Sequence, residues 1–164
     1  MNYKNILKAF LLHIDAKNKK GVGLNVIYVQ KISSTEFKLV ATTGKSLLLG
    51  TFKKEDWDEF RRIVPMMPEV IITGHIEDNV FMAEDTREYP LYEKCLFTEA
   101  ENPMGQFPVF SFDIYAIAGK TFKLLGFNFK FFMPDVWKGI SSPAIKYFDN
   151  YTLLLMPCRR EDKK

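Results

Sequence analysis

The chain has 164 residues, 47% hydrophobic and 15% aromatic, with fifteen phenylalanines. That suffices for one compact domain, or two small lobes sharing a core, at about 25 cal/mol per Å² of apolar surface buried. A balance of 23 basic against 20 acidic residues leaves a net charge of +3, which neither demands nor excludes a nucleic-acid partner; a local basic face matters more than the sum. Two cysteines, Cys95 and Cys158, exclude a disulfide framework and fit no zinc spacing, so a reduced, cytoplasmic setting is expected, with no metal and no cofactor. The opening residues are broken by His13 and Asp15 and do not read as a signal peptide, and no apolar run is long enough to cross a membrane.

Residues 3–18 carry Ile6, Leu7, Phe10, Leu11 and Ile14 at three- and four-residue spacings, which predicts an amphipathic helix. The period then changes. The stretches 24–32, 36–42 and 46–52 read as three strands of a meander. Residues 53–64 predict a short helix with Trp57, Phe60, Ile63 and Val64 as its apolar stripe, acidic residues in the first turn and arginines in the last. Pro65 and Pro68 end it.

A hairpin is expected from 69–76 and 79–85, then an extended segment over 89–97 and a loop over 98–106. Residues 107–112 read as a strand and 113–125 as a helix capped by Asp113 and stopped by Gly126. Strands are expected at 127–134, 144–150 and 151–157, with 135–143 as a loop. A helix followed by strands thus recurs three times, over 3–52, 53–97 and 107–158, in architecture and not in residue-level repetition.

Gly44-Lys45-Ser46 resembles the end of a phosphate-binding loop, but Leu39 stands where that motif needs its first glycine, and strand-forming residues follow where a helix is required. Thr43-Gly44-Lys45 reads instead as a tight turn between strands, with glycine supplying positive φ. His13 and His75 lack a nameable third metal ligand and read as surface or partly buried residues. Glu55, Asp56, Asp58 and Glu59 read as solvated, dipole-favoured charge at a helix start. Ser111, Ser141 and Ser142 lack a nucleophile-elbow pattern, so a non-enzymatic protein is expected. Lys4, Lys8, Arg61, Arg62, Lys120 and Lys123 fall on predicted helices and would form a shallow basic surface if those helices share one side of a sheet.

Three stretches, in order, resemble the bacterial DNA polymerase III beta subunit, the sliding clamp. "LVATTGKSLLLG" is similar to that family's Ala-Thr-Asp-Gly-His-Arg-Leu-Ala segment through Ala41, Thr42, Gly44 and Leu47; Thr43, Lys45 and Ser46 depart from it. "EYPLYEKCLF" resembles its Phe-Pro-Asp-Tyr-Arg-Arg-Val strand through Pro90 and Tyr92, with Lys94 basic and Cys95 in the apolar place. "TLLLMPCR" resembles its terminal Val-Val-Met-Pro-Met-Arg through Met156, Pro157 and Arg159.

The resemblance implies an α+β, DNA-clamp-like fold: antiparallel sheets with helices packed on one face, in repeated helix-plus-strands units. It divides the chain into a first lobe over 1–97, a linker over 98–106, a second lobe over 107–158 and a polar tail over 159–164. Alternatively, 1–52 and 107–158 are halves of one clamp domain with 53–106 inserted. The chain is far shorter than the family's three-domain subunit.

By motif match, a hydrophobic cleft for peptide motifs of polymerase or repair proteins would be walled by Thr42, Gly44, Leu47, Pro90, Cys95, Leu154, Met156 and Pro157, with Lys45, Ser46, Lys94 and Cys158 at its rim or floor. Lys4, Lys8, Lys120 and Lys123 would face duplex DNA without reading its sequence. The expected function is a non-enzymatic tether for replication or repair partners at DNA, with homo-oligomerisation through sheet edges; the alternative is a monomeric interaction module that does not encircle DNA.

Overall fold

A computed structural model describes residues 1–15, 17, 24–67, 72–73, 75–77, 80–82, 92–96, 108–128, 134–139 and 142–158. The architecture is α+β. Six strands form an antiparallel sheet in the order β1 (Ile27–Lys31), β2 (Glu36–Thr42), β3 (Ser46–Lys53), β9 (Tyr151–Leu155), β8 (Ala144–Phe148), β7 (Val136–Trp137). The two-residue β4 (Ile72–Thr73) joins the outer edge of β1 in parallel. A separate hairpin pairs β5 (His75–Glu77) with β6 (Val80–Met82). Helices α1 (Tyr3–Leu11), α2 (Lys54–Ile63) and α3 (Phe112–Leu125) complete the described elements.

The sheet is built from both ends of the chain. β1–β2–β3 is one meander and β7–β8–β9 another, and they meet where β3 runs antiparallel to β9, with Leu48 opposite Leu153. Strands from 27–53 and 136–155 therefore share one sheet. A helix precedes each meander, and those two helices, α1 and α3, pack against each other on one face.

Alternation along each strand sorts side chains between the faces. Phe37, Leu39, Leu48, Phe52, Leu153 and Leu155 point toward the helices, where they meet Leu7, Phe10, Phe60 and Ala118. Phe10, Phe37 and Phe60 are fully buried, each worth about 1.5–3 kcal/mol of transfer free energy. Phe37 stacks on Phe52 at 5.7 Å, and Phe60 meets Phe52 edge-on at 5.2 Å. Gly50 makes room for this group: a Cβ there would lie 2.8 Å from the Phe52 ring and 3.0 Å from Tyr151.

Several elements differ from expectation. α1 stops at Leu11 rather than at residue 18, because the chain turns back and the Asp15 N–H donates to the Leu24 carbonyl at 2.7 Å. The expected strand 69–76 is divided, with Ile72–Thr73 joining the main sheet and His75–Glu77 forming the hairpin. Residues 108–110 are not strand; Ser111 caps α3 by accepting from the Ile114 N–H, and Asp113 lies inside its first turn. The expected loop 135–143 contains β7, pinned when the Asp135 N–H donates to the Ile145 carbonyl at 2.8 Å. Residues 92–95 form a 3₁₀ turn where an extended segment was expected. The expected linker 98–106, the tail 159–164 and positions 129–133 of an expected strand lie outside the described residues. Among the described residues, no helix is long and apolar enough to cross a membrane.

Candidate peptide-binding site

The face of the sheet away from the helices is apolar as well. The strand register aligns one residue from each of five strands: Thr42 opposite Leu47, Leu47 opposite Leu154, Leu154 opposite Ile145, and Ile145 opposite Val136. Val40 and Leu49 form a neighbouring pair, and all of these except Thr42 belong to one cluster with Tyr92. Tyr28, Leu96 and Met156 pack around it, half-buried.

Gly44, at φ +82°, makes the turn that delivers Leu47 to this row. The Thr42 hydroxyl donates to the Ser46 carbonyl at 2.9 Å and accepts from the Gly44 N–H at 3.0 Å. The Met156 N–H donates to the Lys45 carbonyl at 2.8 Å, which continues the β3–β9 pairing past Leu155 and sets Met156 beside the turn.

Thr42, Leu47, Leu154 and Met156, from two of the motif stretches, therefore come together. Tyr92, from the third, sits in the same cluster. Gly44 and Lys45 are exposed at its edge, and Pro157 is half-buried. Pro90 lies outside the described residues.

Cys95 was expected among the apolar walls and is exposed, as is Lys94. Tyr92, in the 3₁₀ turn, and Leu96, just past it, pack on the apolar cluster, so Leu96 takes the apolar place. Cys158 is exposed, its N–H donating to the Val109 carbonyl at 2.7 Å. Val136 and Ile145 belong to this cluster although no motif match named them.

Ser46 was expected at the rim or floor and instead points to the helix side. There it is buried with His13 and Thr121, at the meeting of α1, β3 and α3. His13, expected to be at the surface or partly buried, is fully buried. Thr121 donates its hydroxyl proton to the Ile117 carbonyl at 2.9 Å, so its oxygen accepts from His13 Nε2–H at 2.9 Å. Nδ1 is then left to accept from the Ser46 hydroxyl at 2.9 Å, and Thr43 donates in turn to Ser46 Oγ at 3.2 Å. Burial lowers the His13 pKa from 6.5 to about 3, so the imidazole is neutral at ordinary pH. The cluster resembles a nucleophile–base pair, and its Ser46 is only 1% exposed.

Lys4 and Lys8 on α1 and Lys120 and Lys123 on α3 are exposed, on two helices that pack together. None of them forms an ion pair with another described residue. α2 packs beside α1 and brings Glu55, Asp56, Asp58 and Glu59, with Asp56 accepting from the Tyr3 hydroxyl at 2.7 Å and from the Lys53 N–H at 2.9 Å. That hydrogen bond, with burial and the Asp56 charge, pushes the Tyr3 pKa up to about 12. The described helix layer thus mixes basic and acidic stretches. Among the described residues, no group of three or more His, Cys, Asp or Glu side chains could hold a metal ion.

No family model, curated protein or solved structure matches the chain.

Proposed function

We propose that this chain is a sliding-clamp-like, non-enzymatic protein that tethers replication or repair partners at DNA by docking their short apolar peptide segments on the sheet face around Leu47 and Leu154. The observation that carries the reading is convergence. Three stretches far apart in sequence resemble clamp segments, and their residues Leu47, Tyr92, Leu154 and Met156 gather in one apolar cluster. A site lined by aliphatic side chains, with backbone groups and a few polar atoms at its edge, suits capture of a short peptide. Lys4, Lys8, Lys120 and Lys123 supply diffuse, non-specific contacts to the phosphate backbone, weak enough to permit sliding.

A second reading, a clamp-fold module that binds a protein partner without encircling DNA, is favoured by the carboxylates of α2 beside α1, which dilute the basic character of the helix layer. Light scattering across a concentration series, with circular and with linear duplex DNA, separates the two. A closed oligomer retained on circular but not linear DNA supports the tether. A monomer indifferent to either DNA refutes it and leaves the second reading.

A further inference from the structure

The apolar row is not open. Leu47 and Leu154 are only 3% and 4% exposed, and among the described residues Tyr92 belongs to their cluster, with Leu96 and Met156 packed against it. The segment that carries Tyr92 and Leu96 is short. Tyr92 is 4% exposed and Leu96 half-buried, while Glu93, Lys94 and Cys95 between them face solvent. The Tyr92 hydroxyl donates to Gln30 Oε1 on β1, and the Leu96 N–H donates to the Glu93 carbonyl at 3.1 Å. Five residues thus lay one aromatic and one aliphatic side chain, four positions apart, onto a sheet face made by strands distant in sequence.

We propose that residues 92–96 are an internal occupant of the docking site, and that the external ligand is a short peptide of the same chemistry: an aromatic residue followed four positions later by an aliphatic one, with polar residues between. This rests on the peptide-docking reading given above. The walls leave little choice at the two anchor points. Val40, Leu47, Leu49, Val136, Ile145 and Leu154 offer no partner for a charge, so a charged anchor would be desolvated without compensation. Gln30 at the edge provides an acceptor and reads a hydroxyl-bearing ring. A single 3₁₀ turn opens at smaller cost than a sheet strand. While it stays seated, it lowers the apparent affinity of any competitor by the fraction of molecules in which the site is vacant.

The test uses a fluorescent peptide that copies residues 91–97 with serine in place of Cys95, titrated by anisotropy against the full chain and against the Tyr92→Ala/Leu96→Ala double variant. The vacated variant is expected to bind at least about tenfold tighter than the parent chain. A control peptide with alanine at both anchor positions should bind neither. Equal affinity for both chains would show that the site accepts peptide while 92–96 does not block it, which overturns this inference and leaves the docking reading standing. Binding to neither, with the variant folded by circular dichroism, overturns both. If the variant does not fold, a spin label on Cys95 in the Cys158→Ser chain decides. Excess copy peptide should raise the label's mobility, and an unchanged spectrum refutes displacement.

Discussion

The buried His13 makes acid destabilisation specific to one side chain. In the folded chain its pKa is lowered from 6.5 to about 3, so between these values the unfolded state binds a proton that the folded state refuses. Stability therefore rises with pH across that window and is lost as pH falls through it. At pH 5 an imidazole of pKa 6.5 is about thirtyfold more protonated than neutral when unfolded and still neutral when folded, so the chain loses about 2 kcal/mol relative to pH 8. With a urea m-value of about 2 kcal/mol/M, the unfolding midpoint should fall by about 1 M. His13→Gln provides the control, since its amide can accept from Ser46 and donate to Thr121 without titrating. The variant should be less stable at pH 8, yet lose about 2 kcal/mol less than the parent on going to pH 5. Parallel loss in the two proteins would refute the assignment, because every other titrating group is common to both.

Thr121→Val should cost about 1–3 kcal/mol in urea unfolding, because His13 Nε2–H would lose its acceptor in a dry site, and Thr121→Ser should recover most of it. Leu153→Ala, at the fully buried centre of the β3–β9 seam, should cost about 2–5 kcal/mol by the same assay. Gly50→Ala should destabilise by about 1–3 kcal/mol, and Gly50→Ala with Phe52→Leu should recover part of that if the ring contact is the cause. For the proposed tether, changing Lys4, Lys8, Lys120 and Lys123 to Gln should weaken duplex DNA binding equally across sequences. It should also make the slope of log affinity against log salt shallower, by up to about 0.9 for each phosphate that is no longer neutralised. An unchanged slope places DNA elsewhere.

Much of the fold was legible because its signals were periodic. The heptad-like stripe of α1, the acidic start and basic end of α2, and the apolar run closed by Gly126 in α3 each predicted a helix that is present. The three consecutive leucines of 47–49 and of 153–155 said more than "strand". Strands apolar on both faces belong to a sheet covered on both sides, as β3 and β9 are.

The candidate site was legible only in pieces. Which face Leu47 and Leu154 share depends on the register between strands distant in sequence, and no local pattern encodes that. Tyr92 and Leu96 had the four-residue spacing of a helical turn, but the stretch that holds them was read as extended. β7 was hidden because two residues among Gly, Ser and Pro carry no period. His13 stood in plain view at the next step of the Ile6–Phe10 stripe, and its partners Ser46 and Thr121 come from elements that only the fold brings near.

The β3–β9 seam has a bearing on how the chain reaches this structure. Its paired residues are on the order of a hundred positions apart, yet it lies in the middle of the sheet rather than at an edge. The loop closed by that pairing imposes its entropy before the core contacts across it can form. During synthesis the first meander is complete long before β9 emerges, and the backbone of Ser46–Gly50 stays an open template flanked by leucines. The last of the described strands to be made is thus the one that shields the most adhesive edge. A mutation that merely delays its arrival would be felt as aggregation in the cell before it was felt as lost equilibrium stability.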